Sequence, residues 1–387
     1  MAESPEDDRI IMRKLFDRIN AYLAAQAFVA AQNDVVAAQT KMRASLILAN
    51  VLAVMVVITP LLVMACAVWL VSVSYDTVLG WILAALLLGL AWVLIPRRPR
   101  NTKPTYGRDD LPELFDLLDH VCADLNAPQI DGVHFISDMN AYLFEYRPLF
   151  SAKRNIMGIG LSYWYTLDPQ ERLALIAHEV GHLVNRDPGR SLVIWYAMQT
   201  LEAWLYWLRP DDDAHGRGLG EMMAHFALAV FGLLCELIWR LLNWSMMYHS
   251  QIAEYVADAK SVSVAGKRAA HTLLYTTILS PEAERSTRGL RTYGLPQDGW
   301  IFDHIAAAVR NTPDDRKEHL MSQAETQKSS VDSSHPPTVY RIAFVDQLPD
   351  APARLTFTQA QADAIDVSFV PHRDKLGAEI LRRIEVF

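Results

Sequence analysis

Cysteine is scarce in this chain of 387 residues: Cys66, Cys122 and Cys235 are its only three, and no two form a CxxC pair. A disulfide framework is therefore excluded. Basic charge is also in deficit, with 36 Lys and Arg against 44 Asp and Glu, for a net charge of −8. That balance argues against general nucleic-acid binding. No secretory signal opens the chain; its first residues carry an acidic cluster instead, Glu3, Glu6, Asp7 and Asp8. No internal repeat is visible. Charged residues make up only 21% of the chain, and they are missing altogether from residues 44–75.

What fills that uncharged stretch is apolar, and it exceeds the ~20 residues a helix needs to cross a bilayer. Pro60 lies inside it, which membrane helices tolerate when neighbours satisfy the freed carbonyl. A second uncharged run, residues 77–96, follows after Asp76. The two predict a transmembrane hairpin over 44–96. Lys41 and Arg43 precede it, and Arg97, Arg98, Arg100 and Lys103 follow it. Basic flanks place both ends in the cytoplasm. Two weaker apolar segments, 191–208 and 222–247, are expected to span as well, although they contain Glu202, Glu236 and Arg240. Such charges are tolerated when they face a bundle interior. Ahead of the hairpin, Ile11, Leu15, Ile19, Tyr22 and Leu23 recur at helical spacing and predict an amphipathic helix. Residues 311–334, rich in Asp, Ser, Gln and Lys, read as a flexible linker or loop.

Chemistry enters at His178-Glu179-Val180-Gly181-His182, which has the form HExxH. Asp168 as N-cap, Pro169 at the first helical position and Glu171 three residues after the cap predict a helix start. An apolar face follows (Leu173, Leu175, Ile176, Ala177, Val180), and the helix should end near residues 185–188. On that helix His178 and His182 project from one face a turn apart, so both imidazoles can reach one zinc ion. Zinc lowers the pKa of bound water to about 7, and Glu179 can take its proton. Further along, Glu254 and Asp258 form an i, i+4 pair. Glu254 could complete a His₂Glu site, and Asp258 could orient a ligand imidazole. Taken alone, the pair reads first as two solvated acids. The two ligand segments are separated by two spans or by none, so they lie on one side of the membrane.

In five ordered fragments the chain resembles the membrane gluzincins typified by HtpX proteases and CAAX prenyl proteases. These are Asn140-Ala141-Tyr142, the stretch 155–160 (Asn-Ile-Met-Gly-Ile-Gly), the extended motif through Asp187, residues 250–258, and Ser334-His335-Pro336-Pro337 followed by Arg341-Ile342. The resemblance implies one zinc per chain on His178, His182 and Glu254, with Glu179 as base and proton donor. It implies that Asp258 orients a ligand histidine and that His335, with Arg341, stabilises an oxyanion. Asp187 matches a family position with a structural role. Residues 155–160 look like the family's edge strand, which pairs with substrate backbone. Asn140, Ala141, Ile156 and Gly158 are then substrate-binding. Without the resemblance, His335 is an ordinary loop histidine. One departure is that Gln251, Ile252 and Ala253 stand where the family often has a basic residue before the third ligand.

The expected fold is a mostly α integral membrane protein: a helical bundle with a zincin-type metallopeptidase core and a small β-sheet. Its expected division is a cytoplasmic amphipathic segment (1–43), the hairpin (44–96), the metallopeptidase domain (97–346) and a cytoplasmic tail (347–387). The expected activity is zinc-dependent hydrolysis of membrane or membrane-associated proteins at the cytoplasmic face, in a bacterial inner membrane, serving quality control. Its partners are a protein or peptide substrate and the lipid bilayer, with no nucleic acid. A CAAX-type prenyl-protein peptidase would have more spans and an enclosed chamber; a silent scaffold would not need the complete base-plus-ligand set.

Overall fold

A computed structural model describes residues 5–40, 44–95, 104–146, 153–185, 192–208, 219–293, 301–326 and 335–386. The fold is mostly helical, with one three-stranded sheet. It divides into two compact units: residues 1–40, 102–186 and 251–387 form the first, and 41–101 with 187–250 the second.

In the first unit, α4 (Pro112–Leu125) leads into β1 (Gly132–Ile136), β2 (Ala141–Tyr146) and β3 (Arg154–Gly160). A short helix α5 (Leu161–Thr166) follows, then α6 (Pro169–Asn185), which carries the HExxH motif. The order in the sheet is β1-β3-β2, with β1 parallel and β2 antiparallel to β3. This corrects the expectation for residues 155–160. Strand β3 is central, its backbone paired on both sides, so Ile156 and Gly158 offer no free edge to a substrate. Gly158 has another reason to be glycine. It stands opposite Tyr142 across the ladder, and a Cβ there would fall 2.3 Å from the Tyr142 ring. The outer strands are β1 and β2, and β2 begins at Ala141.

The core of this unit joins α4, the sheet and α6 to α9 (Lys267–Ile278), α11 (Ile301–Arg310) and α14 (Gln359–Val386). The C-terminal segment, expected as a tail, is part of that core: Ala362, Ile365 and Phe369 are buried, and Phe369 packs on Trp164 and Phe135. Apolar residues at helical spacing on 362, 365 and 369 drive it inward. Helix α14 also holds the start of α6, because Asp366 accepts hydrogen bonds from Arg172 at 3.0 Å and from Trp164 Nε1 at 2.7 Å. Of the linker expected over 311–334, residues 314–326 form α12 (Asp314–Thr326), with Asp314 and Asp315 in its first turn and Leu320 buried. Acidic side chains complement a helix N-terminus, and one buried leucine suffices to dock it. Residues 327–334 lie outside the described residues.

The N-terminal helix α1 (Pro5–Thr40) belongs to the first unit. It is two helices joined at Asp34, whose backbone is extended and whose Oδ1 accepts hydrogen bonds from the amides of Val36 and Ala37. That is an N-cap restarting the helix.

The second unit holds α2 (Ala44–Val73), α3 (Val78–Leu94), α7 (Leu192–Trp207) and the first part of α8 (Leu219–Ala265). Among the described residues, two helices are long and apolar enough to cross a membrane, α2 and the stretch Phe226–Ala265 of α8. Helix α3 has 17 residues and α7 has 16. At 1.5 Å per residue the described stretches of α3 and α7 run about 26 and 24 Å, against a ~30 Å hydrocarbon core. The charges in these segments are not buried; they pair along the surface. Arg240 Nε donates to Glu236 at 3.1 Å, and Glu202 accepts from Gln199 at 3.1 Å.

Candidate metal centre

Helix α6 begins as the sequence dictates. The Asp168 amide donates to Glu171 Oε2 at 3.0 Å, one half of a capping box. Gln170 fixes the same turn by donating to the carbonyls of Ala265 and Leu355 and accepting from the Phe357 amide. From this anchored start, His178, Glu179 and His182 fall on one buried stretch.

The partner helix is the C-terminal part of α8, and Gly181 lets it come close. A Cβ on Gly181 would stand 3.2 Å from Ala257 Cα and 3.3 Å from Lys260 Cβ. Small residues on both helices thus bring the backbones together, and Ser261 Oγ donates to the Ala174 carbonyl at 2.8 Å along the same seam. The result is a cluster of three candidate ligands. His178 Nε2 and His182 Nε2 stand 3.2 Å apart; the first lies 3.4 Å from Glu254 Oε2 and the second 3.4 Å from Oε1. These three residues are all buried, and their ligand atoms lie within 4.8 Å of one another. Glu254 Oε2 is buried, with Arg341 Nη1 3.3 Å and His178 Nε2 3.4 Å away. A buried carboxylate stays ionised only where positive charge is set against it.

Around this triangle stand the other candidates. Asp258 Oδ1 lies 3.1 Å from His178 Nδ1, the contact that fixes a ligand imidazole's tautomer. His335, exposed at the start of the segment leading to α13 (Thr338–Gln347), places Nδ1 2.9 Å from Glu254 Oε1. Arg341 departs from the oxyanion role. Its Nε and Nη2 donate to the two oxygens of Asp258 at 2.9 and 2.7 Å, and Nη1 lies 3.3 Å from Glu254 Oε2. The guanidinium fork is committed to the acids behind the ligands, a geometry that holds carboxylates in place. Among the described residues, the Glu179 carboxylate is in no ion pair or hydrogen bond, although it is buried. Asn140 and Ala141 lie at the start of β2, where the Asn140 carbonyl accepts from the Gly160 amide at 2.9 Å. Asp187 lies outside the described residues.

The electrostatics follow from this packing. Burial opposes ionisation of Glu254 and Asp258, yet Arg341 and the neighbouring histidines win and hold both below the usual carboxylate range. Burial likewise opposes charge on His178, but hydrogen bonds to Asp258 and Glu254 push it up to about 9. Arg341 is raised by the same acids. The arrangement is a carboxylate-rich pocket that keeps its acids ionised and draws in positive charge.

Two imidazoles from one helical turn and a carboxylate from a second helix, with an acid beside them on the motif, make up the site of a metallopeptidase. The sequence profile of peptidase family M48 matches residues 116–348, and the chain belongs to that family. It is 27% identical over 312 residues to a protease HtpX homolog of Pyrobaculum calidifontis, covering 76% of this chain and 86% of that protein. A protease HtpX of Shewanella baltica is 25% identical over 186 residues, covering 45% of this chain and 60% of that protein. No solved structure matches.

What the residue pattern alone does not reveal is the role of Gly181 and of Arg341's ion pairs. The first is hidden inside the two variable positions of HExxH. The second needs the fold to bring residue 341 beside residue 258.

Proposed function

We propose that this metallopeptidase uses zinc on His178, His182 and Glu254 to hydrolyse peptide bonds of membrane or membrane-associated proteins at the cytoplasmic face, in quality control. The observation that carries the metal is the triangle of ligand atoms. The two imidazole nitrogens stand 3.2 Å apart and each lies 3.4 Å from a different oxygen of the one Glu254 carboxylate, close to the roughly 3.3–3.4 Å between ligands about 2.0–2.1 Å from a tetrahedral ion. Two nitrogens and one carboxylate are the donor set of a catalytic zinc site with a fourth position open. Bound there, zinc would supply a Lewis acid for the scissile carbonyl and lower the pKa of a water molecule to about 7. Glu179 takes the proton of that attacking water and returns it to the leaving amine. Asp258 holds His178 in one tautomer, and Arg341 holds Asp258. His335, exposed beside Glu254, donates to the carbonyl oxygen as charge develops on it. Asn140 and Ala141, at the start of β2, bind substrate, as the family resemblance implies.

The membrane assignment is supported by how α2 and α3 pack. Their buried positions are mostly small (Ala49, Ala53 and Ala67 in α2; Gly80, Ala84 and Ala91 in α3), while Leu61, Leu62, Leu79 and Leu86 point outward. Small residues inside and large apolar residues outside suit a lipid solvent. Basic flanks at 41–43 and 97–103 put the ends of this hairpin in the cytoplasm.

The test is a digest of casein and of an unfolded membrane protein by wild type and Glu179→Gln. The variant should keep its zinc and lose activity by about 10²–10⁴-fold, the contribution of a general base. Equal digestion by both would refute the assignment.

A further inference from the structure

Helix α1 lies outside the family match, which begins at residue 116, yet it packs in the same unit as the metal centre. Ala24, Ala27 and Ala31 are buried along one face at spacings of three and four. Alanines there let helix axes approach closely. From that face Phe28 reaches two rings. It stacks on Tyr340 with centroids 4.7 Å apart and planes 10° from parallel, and lies tilted against Tyr255 at 6.1 Å. Tyr255, fully buried, meets Phe344 at 5.1 Å.

The chain neighbours of those rings are the groups at the metal centre. Tyr255 follows the ligand Glu254, and Tyr340 precedes Arg341, whose Nη1 lies 3.3 Å from Glu254 Oε2. Consecutive residues on a helix turn by about 100°, so each pair presents two faces of a single turn. One face of α8 and α13 carries the charge cluster; the adjacent face carries the aromatic cluster. A ring seated against Tyr255 and Tyr340 therefore sets the spacing of the two turns that deliver Glu254 and Arg341.

We infer that Phe28 is a positioning residue of the metal centre, and that α1 is the strut that holds the third ligand and its arginine in register. This rests on the zinc reading above. A helix that served only as an apolar anchor would alter overall stability and leave metal affinity at the centre untouched.

The experiment uses the full chain in detergent and compares Phe28→Ala, Phe28→Tyr and Tyr22→Ala; Tyr22 is 62% exposed on the same helix. Zinc affinity is measured by chelator competition, and kcat and KM at saturating zinc. Phe28→Ala should weaken zinc about tenfold, the low end of the cost of losing an outer-shell partner, and lower kcat with KM nearly unchanged. Phe28→Tyr keeps the ring and should restore both; Tyr22→Ala should change neither. If Phe28→Ala does not fold, Phe28→Leu keeps the apolar volume without the ring and carries the same expectation. Wild-type zinc affinity and kcat in the folded ring-less variant, or an equal loss in Tyr22→Ala, would overturn the inference. Zinc-loaded wild type with an indifferent Phe28 variant defeats this inference alone, whereas wild type that binds no zinc takes the functional reading down with it.

Discussion

The two units bury opposite kinds of side chain. In the first, the fully buried residues include Trp164, Tyr255, Phe115 and Phe369, and the buried charges of Asp258, Glu254 and Arg341 are matched to one another beside α6. In the second, α2 and α3 bury mainly alanine and glycine and turn leucine, valine and tryptophan outward. A water-folded unit gains by hiding large apolar groups, and then must pair any charge it encloses. A unit in an apolar solvent gains nothing that way and selects instead for close backbone contact. The metal-ligand cluster of His178, His182 and Glu254 belongs to the unit that buries large apolar groups.

The largest way to break this contrast is to unpair a buried charge. Arg341→Ala leaves Asp258 and Glu254 without their guanidinium and should cost about 3–5 kcal/mol. Chemical denaturation of the metal-free protein measures it, and a loss near zero would mean that the acids find solvent. Next is a charge on the outward face of the other unit. Leu86→Lys, at a residue 65% exposed in the middle of α3, should cost about 2.5–3.5 kcal/mol of membrane insertion. Carbonate extraction of the variant reads this; unchanged retention would show that this face does not meet lipid. The smallest effect is a pH dependence confined to the first unit. His178 in the metal-free protein is held above its ordinary 6.5, at about 9. A group raised in this way stabilises the fold fully below 6.5, and the contribution is lost as the pH climbs through about 9. The melting temperature of the apoprotein should therefore fall between those values, and a rise would contradict the paired charges around the ring.

The motif helix was legible in the sequence because its signals are local. Asp168, Pro169 and Glu171 mark its start. The apolar runs were legible for the same reason. The strand order was not: it depends on long-range pairing, and the edge position for 155–160 came from the family resemblance, whereas Gly158 and Gly160 answer to the Tyr142 ring and to backbone at Asp138 and Asn140. Helix α14 was missed because its apolar positions are few and spread among polar ones, so its burial shows only once Trp164 and Arg172 are there to receive Phe369 and Asp366. Arg341 was legible as a site residue, but its partner was not, since nothing in the chain ties 341 to 258 except the fold.

Metal content is the most direct measure of the central claim, that side chains from α6 and α8 converge on one divalent ion. Elemental analysis of purified wild type and Glu254→Ala should give about one zinc per chain for the first and almost none for the second. Equal metal in both, or none in either, would contradict it.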